Sequence, residues 1–123
     1  MEDTIQSSAV EFVRVAGAFI KGLELETAPK TLLARYISHF GISPRHTAYL
    51  WYACDHRLRE SNPYYRRKHL LWTLNLLKSD DTEHVLTGRW GADENTIRKY
   101  LYITLGVLSR LGIVSTKYSQ KRS

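Results

Sequence analysis

Cysteine occurs once in this chain of 123 residues, proline three times and glycine seven times. A lone cysteine, Cys54, excludes an internal disulfide framework and any cysteine-cluster zinc site, and it fits a reducing, intracellular setting. So few prolines and glycines leave room for long uninterrupted helices. Long apolar runs are missing too, since no window approaches the roughly 18 apolar residues of a membrane span. The most apolar early stretch, residues 10–20, is broken by Glu11 and Arg14 and has neither the basic start nor the cleavage site of a signal peptide. Alternating-strand patterning is absent apart from a short extended candidate at residues 113–116. What remains is 43% hydrophobic and 24% charged, an ordinary globular composition sufficient for one domain with a core.

Apolar residues recur at spacings of three and four through most of the chain, which predicts an all-α fold of about six helices in one bundle. Residues 4–25 place Ile5, Ala9, Phe12, Val13, Ala16, Ile20 and Leu23 on one face, weakened by Gly17 and Gly22. Glu24, Glu26 and Pro29 read as a break. A second helix is expected from Thr31 to Phe40, with Leu32, Leu33, Tyr36, Ile37 and Phe40 inward and Gly41 stopping it. Ser43 followed by Pro44 is a helix start, and the third helix is expected to end near Cys54, burying Ala48, Leu50 and Trp51. Residues 56–63 lose periodicity, and Ser61-Asn62-Pro63 is turn chemistry. The fourth helix runs from about Tyr65 to Lys78 with a Leu70, Leu71, Leu74, Leu77 stripe. Asp80 or Asp81 caps a fifth, Asp80 and Glu83 having capping-box spacing. The sixth and longest extends from about Asp93 to Leu111 and ends at Gly112. Three segments follow: an N-terminal amphipathic helix at 1–28, a helical domain at 29–112, and a basic tail at 113–123.

Net charge is +6 with a pI near 9.6, which leans toward a polyanionic partner. The basic residues gather: His56, Arg57, Arg59, Arg66, Arg67, Lys68 and His69 in one segment, and Lys117, Lys121 and Arg122 at the end. Residues 82–102 have the pattern of a helix-turn-helix. Gly91 supplies the turn, Leu86 and Trp90 come from the first helix, Ile97 and Tyr100 from the second, and Thr87 is small enough for the close approach. Asp93 caps the second helix. Its outer face then carries Glu94, Asn95, Arg98, Lys99 and Tyr102. Asparagine pairs with adenine and arginine with guanine in the major groove, so Asn95, Arg98 and Tyr102 are the base-reading candidates. Arg57, Arg59, Arg66, Arg67, Lys68 and Lys99 are the phosphate-contact candidates. The same pattern is also how a helical bundle turns a corner. The unit around Gly41 is a poorer match, because Ile37 is bulky at the close approach, and it reads as scaffold or a decayed duplicate.

Four blocks in order carry a family resemblance: Phe40-Gly41-Ile42-Ser43-Pro44 leading to Leu50-Trp51, Lys68-His69-Leu70-Leu71-Trp72-Thr73-Leu74, Leu76-Leu77-Lys78 through Thr82-Glu83, and Asp93-Glu94-Asn95-Thr96-Ile97-Arg98-Lys99-Tyr100. Together, over residues 38–111, they resemble the N-terminal helix-turn-helix region of Harbinger-like DDE-superfamily transposases. The resemblance implies double-stranded DNA as partner and a nuclear setting. In that family a nuclease domain of RNase H-like fold follows, with three carboxylates holding two metal ions. This chain ends before any such strands, so it is expected to bind DNA without being an enzyme.

The remaining constellations have plain readings. Cys54 and His56, two apart, point to different sides of a helix, and no pair has zinc-ligand spacing. No metal or cofactor is expected. Cys54 reads as a buried helix residue rather than a nucleophile. Trp51 and Trp72 read as core, and Tyr49, Tyr52, Tyr64 and Tyr65 as rings packed inside with hydroxyls at the surface, or as base-stacking platforms. Two alternatives to DNA binding stand beside it: a protein-interaction module whose first helix pairs with a partner or in a homodimer, and a transposon remnant without function.

Overall fold

The computed structural model describes residues 2–20, 23, 28–79 and 83–112. Six helices follow in chain order: α1 (Glu2–Gly17), α2 (Pro29–Phe40), α3 (Pro44–Ser61), α4 (Arg67–Ser79), α5 (Glu83–Trp90) and α6 (Glu94–Arg110). The all-α expectation holds, and the described residues contain no strand.

Two corners of the chain share one recipe. Phe40-Gly41-Ile42-Ser43 and Trp90-Gly91-Ala92-Asp93 each place a buried aromatic, then a glycine at positive φ (82° and 68°), then an apolar residue, then an N-cap. Glycine enters that left-handed conformation without a Cβ penalty. Its N–H closes onto the carbonyl four residues back, Gly41 to Ile37 at 2.7 Å and Gly91 to Thr87 at 3.0 Å. The caps are equivalent: Ser43 Oγ accepts from the His46 N–H at 3.1 Å, and Asp93 Oδ1 accepts from the Thr96 N–H at 2.8 Å. Each satisfies a donor left over at a helix start.

Several boundaries differ from the sequence expectation. Pro29 opens α2 instead of breaking the chain before it, because its missing N–H and preset φ suit the first helical position. α1 ends at Gly17, inside the expected 4–25 span. α3 does not stop near Cys54 but runs on to Ser61. Leu58, four residues past Cys54, keeps the buried row going, while Asp55–Arg59 and His56–Glu60 pair one turn apart on the outer face. Leu33 is exposed, and Leu32, Ile37, Leu50 and Leu77 are only half-buried. The proposed caps Asp80 and Asp81, the extended candidate at 113–116 and the basic tail lie outside the described residues.

α4 is the centre. It packs against α1, α2, α5 and α6, while α1 lies along α3. Every residue from His69 to Leu76 is buried, so the expected one-sided leucine stripe is a helix covered on all sides. Phe12, Ala16, Ile20 and Leu23 join the same core as α4, with Trp51, Tyr65, Trp72, Trp90 and Tyr100. The start of α4 is capped from within. His69, its third residue, accepts the Arg66 N–H on Nδ1 at 2.8 Å, the task glutamate performs in a capping box. Asn75 ties three helices: its Nδ2 donates to the His39 carbonyl at 2.8 Å and its Oδ1 accepts from Arg89.

Two buried tyrosines are satisfied alike. Tyr36 donates to Thr47 Oγ1 at 3.0 Å, and Thr47 donates to the Ser43 carbonyl at 2.8 Å. Tyr65 bonds Thr104, whose hydroxyl donates to the Tyr100 carbonyl at 2.7 Å. Burial pushes both phenols well above their ordinary range. Among the described residues, each threonine links a buried phenol to the backbone, which sets a test. Thr104→Val strands the Tyr65 hydroxyl and is expected to cost about 1–3 kcal/mol in urea denaturation. Tyr65→Phe should cost less, and the double variant should recover part of the loss. Additive losses would show that the two hydroxyls do not depend on each other.

Candidate nucleic-acid interface

α6 has two faces. Ile97, Tyr100, Leu101, Thr104, Val107 and Leu108 are buried, and Asn95, Arg98, Lys99 and Tyr102 are exposed. Positions 95, 98, 99 and 102 follow the three-and-four spacing that lines up one helical surface. The helix is held in place mainly from α4. Tyr100 lies parallel on His69, ring centroids 3.6 Å apart, and edge-on to Tyr65 and Trp72 at 5.8 and 6.0 Å. The sequence expected Tyr100 to meet the helix before Gly91; its ring contacts are instead on the α4 side. The Trp90 ring contacts are with Phe19, Phe40 and Trp72. The Leu86 side chain lies outside the described residues. The Asp93 carboxyl sits below its usual range because the Thr96 backbone N–H and hydroxyl bond to it, so it remains charged as the cap.

The six phosphate-contact candidates do not form one patch. Lys68 Nζ stands over Trp72 and Lys99 Nζ over Tyr100, at 5.9 and 5.6 Å from rings that touch each other. These two ammonium groups therefore flank the α4–α6 seam beside Arg98. Arg57 lies toward the far end of α6, sharing a shallow groove with His56, Glu60, Ser61 and Arg110. Arg110, exposed in the last turn of α6, escaped the sequence reading because it belongs to no basic run. Arg59 is paired to Asp55 at 2.9 Å. Arg66 donates to the Pro63 and Tyr65 carbonyls at 3.1 and 3.0 Å. Arg67 is turned away altogether, over the Phe12 and Trp51 rings at 5.8 and 5.3 Å, in a cleft that also holds Asp3, Glu11 and Asp55. Three carboxylates there repel phosphate, so that cleft is no part of a nucleic-acid surface.

Other chemistry is sparse. Cys54 is fully buried, and burial raises its thiol above the ordinary range, against thiolate formation. Among the described residues, no three His, Cys, Asp or Glu side chains come together as a metal ion requires. Nor is any helix there long and apolar enough to cross a membrane. No family model, curated protein or solved structure matches the chain.

The His69–Tyr100 stack makes the seat of α6 sensitive to acid. Burial, with the Lys68 and Arg66 charges adding to it, pushes the imidazole down to about 3 from 6.5. Between those values the unfolded chain binds a proton that the folded chain refuses. Stability from this group is complete above pH 6.5 and is lost as pH falls toward 3, at up to about 1.4 kcal/mol per pH unit. His69→Gln keeps an acceptor for the Arg66 N–H and cannot be protonated. Its denaturation midpoint should therefore vary less than that of the native chain between pH 6.5 and 5, above the range where most carboxylates titrate. Parallel curves would show that His69 is not the acid-sensitive group.

Proposed function

We propose that this chain is a duplex-DNA-binding module that reads bases with the outer face of α6. The observation that carries this reading is the exposure of Asn95, Arg98, Lys99 and Tyr102 together on one surface of a capped helix. The corner at Gly91 would set that helix against α5 as a helix-turn-helix does, and Asn95 and Arg98 are of the types that bond adenine and guanine edges. Lys68 and Lys99 flank the reading face. Arg57 and Arg110 lie near the other end of the helix, about 18 Å from Arg98 at 1.5 Å per residue. A major groove about 12 Å wide fits between cationic groups spaced in that way. The resemblance to the recognition region of Harbinger-like transposases supports the same assignment, with a nuclear site of action and a role in binding rather than catalysis. Arg59, Arg66 and Arg67, each engaged or turned elsewhere, contribute less in this reading.

The competing idea, that α1 pairs with a partner through its apolar stripe, meets a physical obstacle. Ile5, Ala9, Phe12 and Ala16 are already buried within the chain. Only Val10, 59% exposed, stands out from that helix.

Gel retardation on a pool of duplexes at about 50 mM salt should show binding whose affinity falls by about 0.9 log unit per phosphate contact for each log unit of salt. Lys68→Ala with Lys99→Ala should weaken binding to all sequences and flatten that slope. Arg98→Ala should relax sequence preference by about 1–3 kcal/mol at one base pair. Absence of retardation at low salt overturns the proposal.

A further inference from the structure

A second surface of the molecule has a different chemistry. Between α1 and α3 lies a cleft of about 610 Å³, lined by Ile5, Ala48 and Trp51 on its apolar side, with Tyr52 at the exposed edge and Arg67 from α4. That volume is in the range of small-ligand sites, about 300–1,000 Å³. Its charges are unevenly matched. Glu11 is taken by Arg14 and Asp55 by Arg59, so the Arg67 guanidinium, stacked on two rings, makes no hydrogen bond or ion pair among the described residues. Its Nε and the Ser8 hydroxyl are buried without a partner there. Asp3, also lining the cleft, makes no ion pair among the described residues either.

We propose that this cleft binds a small zwitterion with an apolar body, an amino acid or a short peptide. Its carboxylate would meet Arg67, and its ammonium would meet Asp3, the lining carboxylate that makes no ion pair among the described residues. The charge pattern selects that class. An anion alone gains Arg67 but faces three carboxylates, and a cation alone gains the carboxylates but faces the guanidinium. Arginine is suited to the carboxylate end because its planar fork bonds both oxygens at once, and the exposed Tyr52 ring at the edge offers apolar surface to the side chain. Nucleic acid is excluded by the same carboxylates, so this site and the α6 face are separate in ligand and in place.

The test uses the full chain labelled with nitrogen-15, titrated with phenylalanine, the dipeptide alanyl-phenylalanine, phenethylamine and 3-phenylpropionate. Phenylalanine or the dipeptide should shift the amides of Ser7, Ser8, Trp51, Tyr52 and Arg67, and the tighter of the two identifies the source of the zwitterion. Phenethylamine and 3-phenylpropionate, each lacking one charge, should bind about tenfold or more weaker. Arg67→Met, which keeps an apolar stem over the rings, should erase the preference for phenylalanine over phenethylamine. Asp3→Asn, on the exposed first turn of α1, should reduce the preference over 3-phenylpropionate and gives an arm independent of core packing. No localised shift with either zwitterion at millimolar concentration overturns the proposal. So does equal binding of a singly charged analogue, or unchanged selectivity in both variants.

Discussion

The helix around which the others pack leaves backbone donors at its start that need partners. α4 meets part of this need through one residue. His69 accepts the Arg66 N–H and at the same time presents a flat face to Tyr100 of α6. Glutamate, the usual occupant of that capping position, would bring a charge under an aromatic ring in a buried site, where desolvation is costly. A neutral imidazole accepts the bond and stacks as well. This contact and the rings around it help to fix the position of α6, together with its packing against α3 and α5.

The turns were the most legible part of the chain. Gly41 and Gly91 declare themselves because only a positive φ requires glycine, and Ser43 and Asp93 declare the helix starts because their side chains replace missing bonds. The extension of α3 was hidden because its outer face from Asp55 to Glu60 is almost wholly charged, leaving Leu58 as the single apolar marker. The enclosure of α4 was hidden for the opposite reason. His69, Thr73 and Asn75 are polar, and what permits their burial is remote in sequence: Asn75 donates to a carbonyl 36 positions away. Periodicity records which residues are apolar, whereas long-range partners decide which polar ones can be buried.

Charge shows the limit of reading runs of residues. Arg66, Arg67 and Lys68 look like one basic block in the sequence, but successive helical positions are turned by about 100°. Arg66 ends against loop carbonyls, Arg67 against the α1–α3 cleft, and Lys68 over Trp72 beside α6. A net charge of +6 therefore conceals two unlike surfaces, one cationic along α6 and one of mixed sign between α1 and α3.

The closed environment of α4 also bears on how such a sequence changes over time. Eight consecutive residues, His69 to Leu76, have no outward side, whereas long stretches of α3 and α6 face water. Copies kept under selection would accumulate changes on the outer faces first and leave this segment almost untouched. Copies that have lost their role would drift equally everywhere. The ratio of substitutions in α4 to those on exposed positions thus measures how strongly the fold itself is under selection.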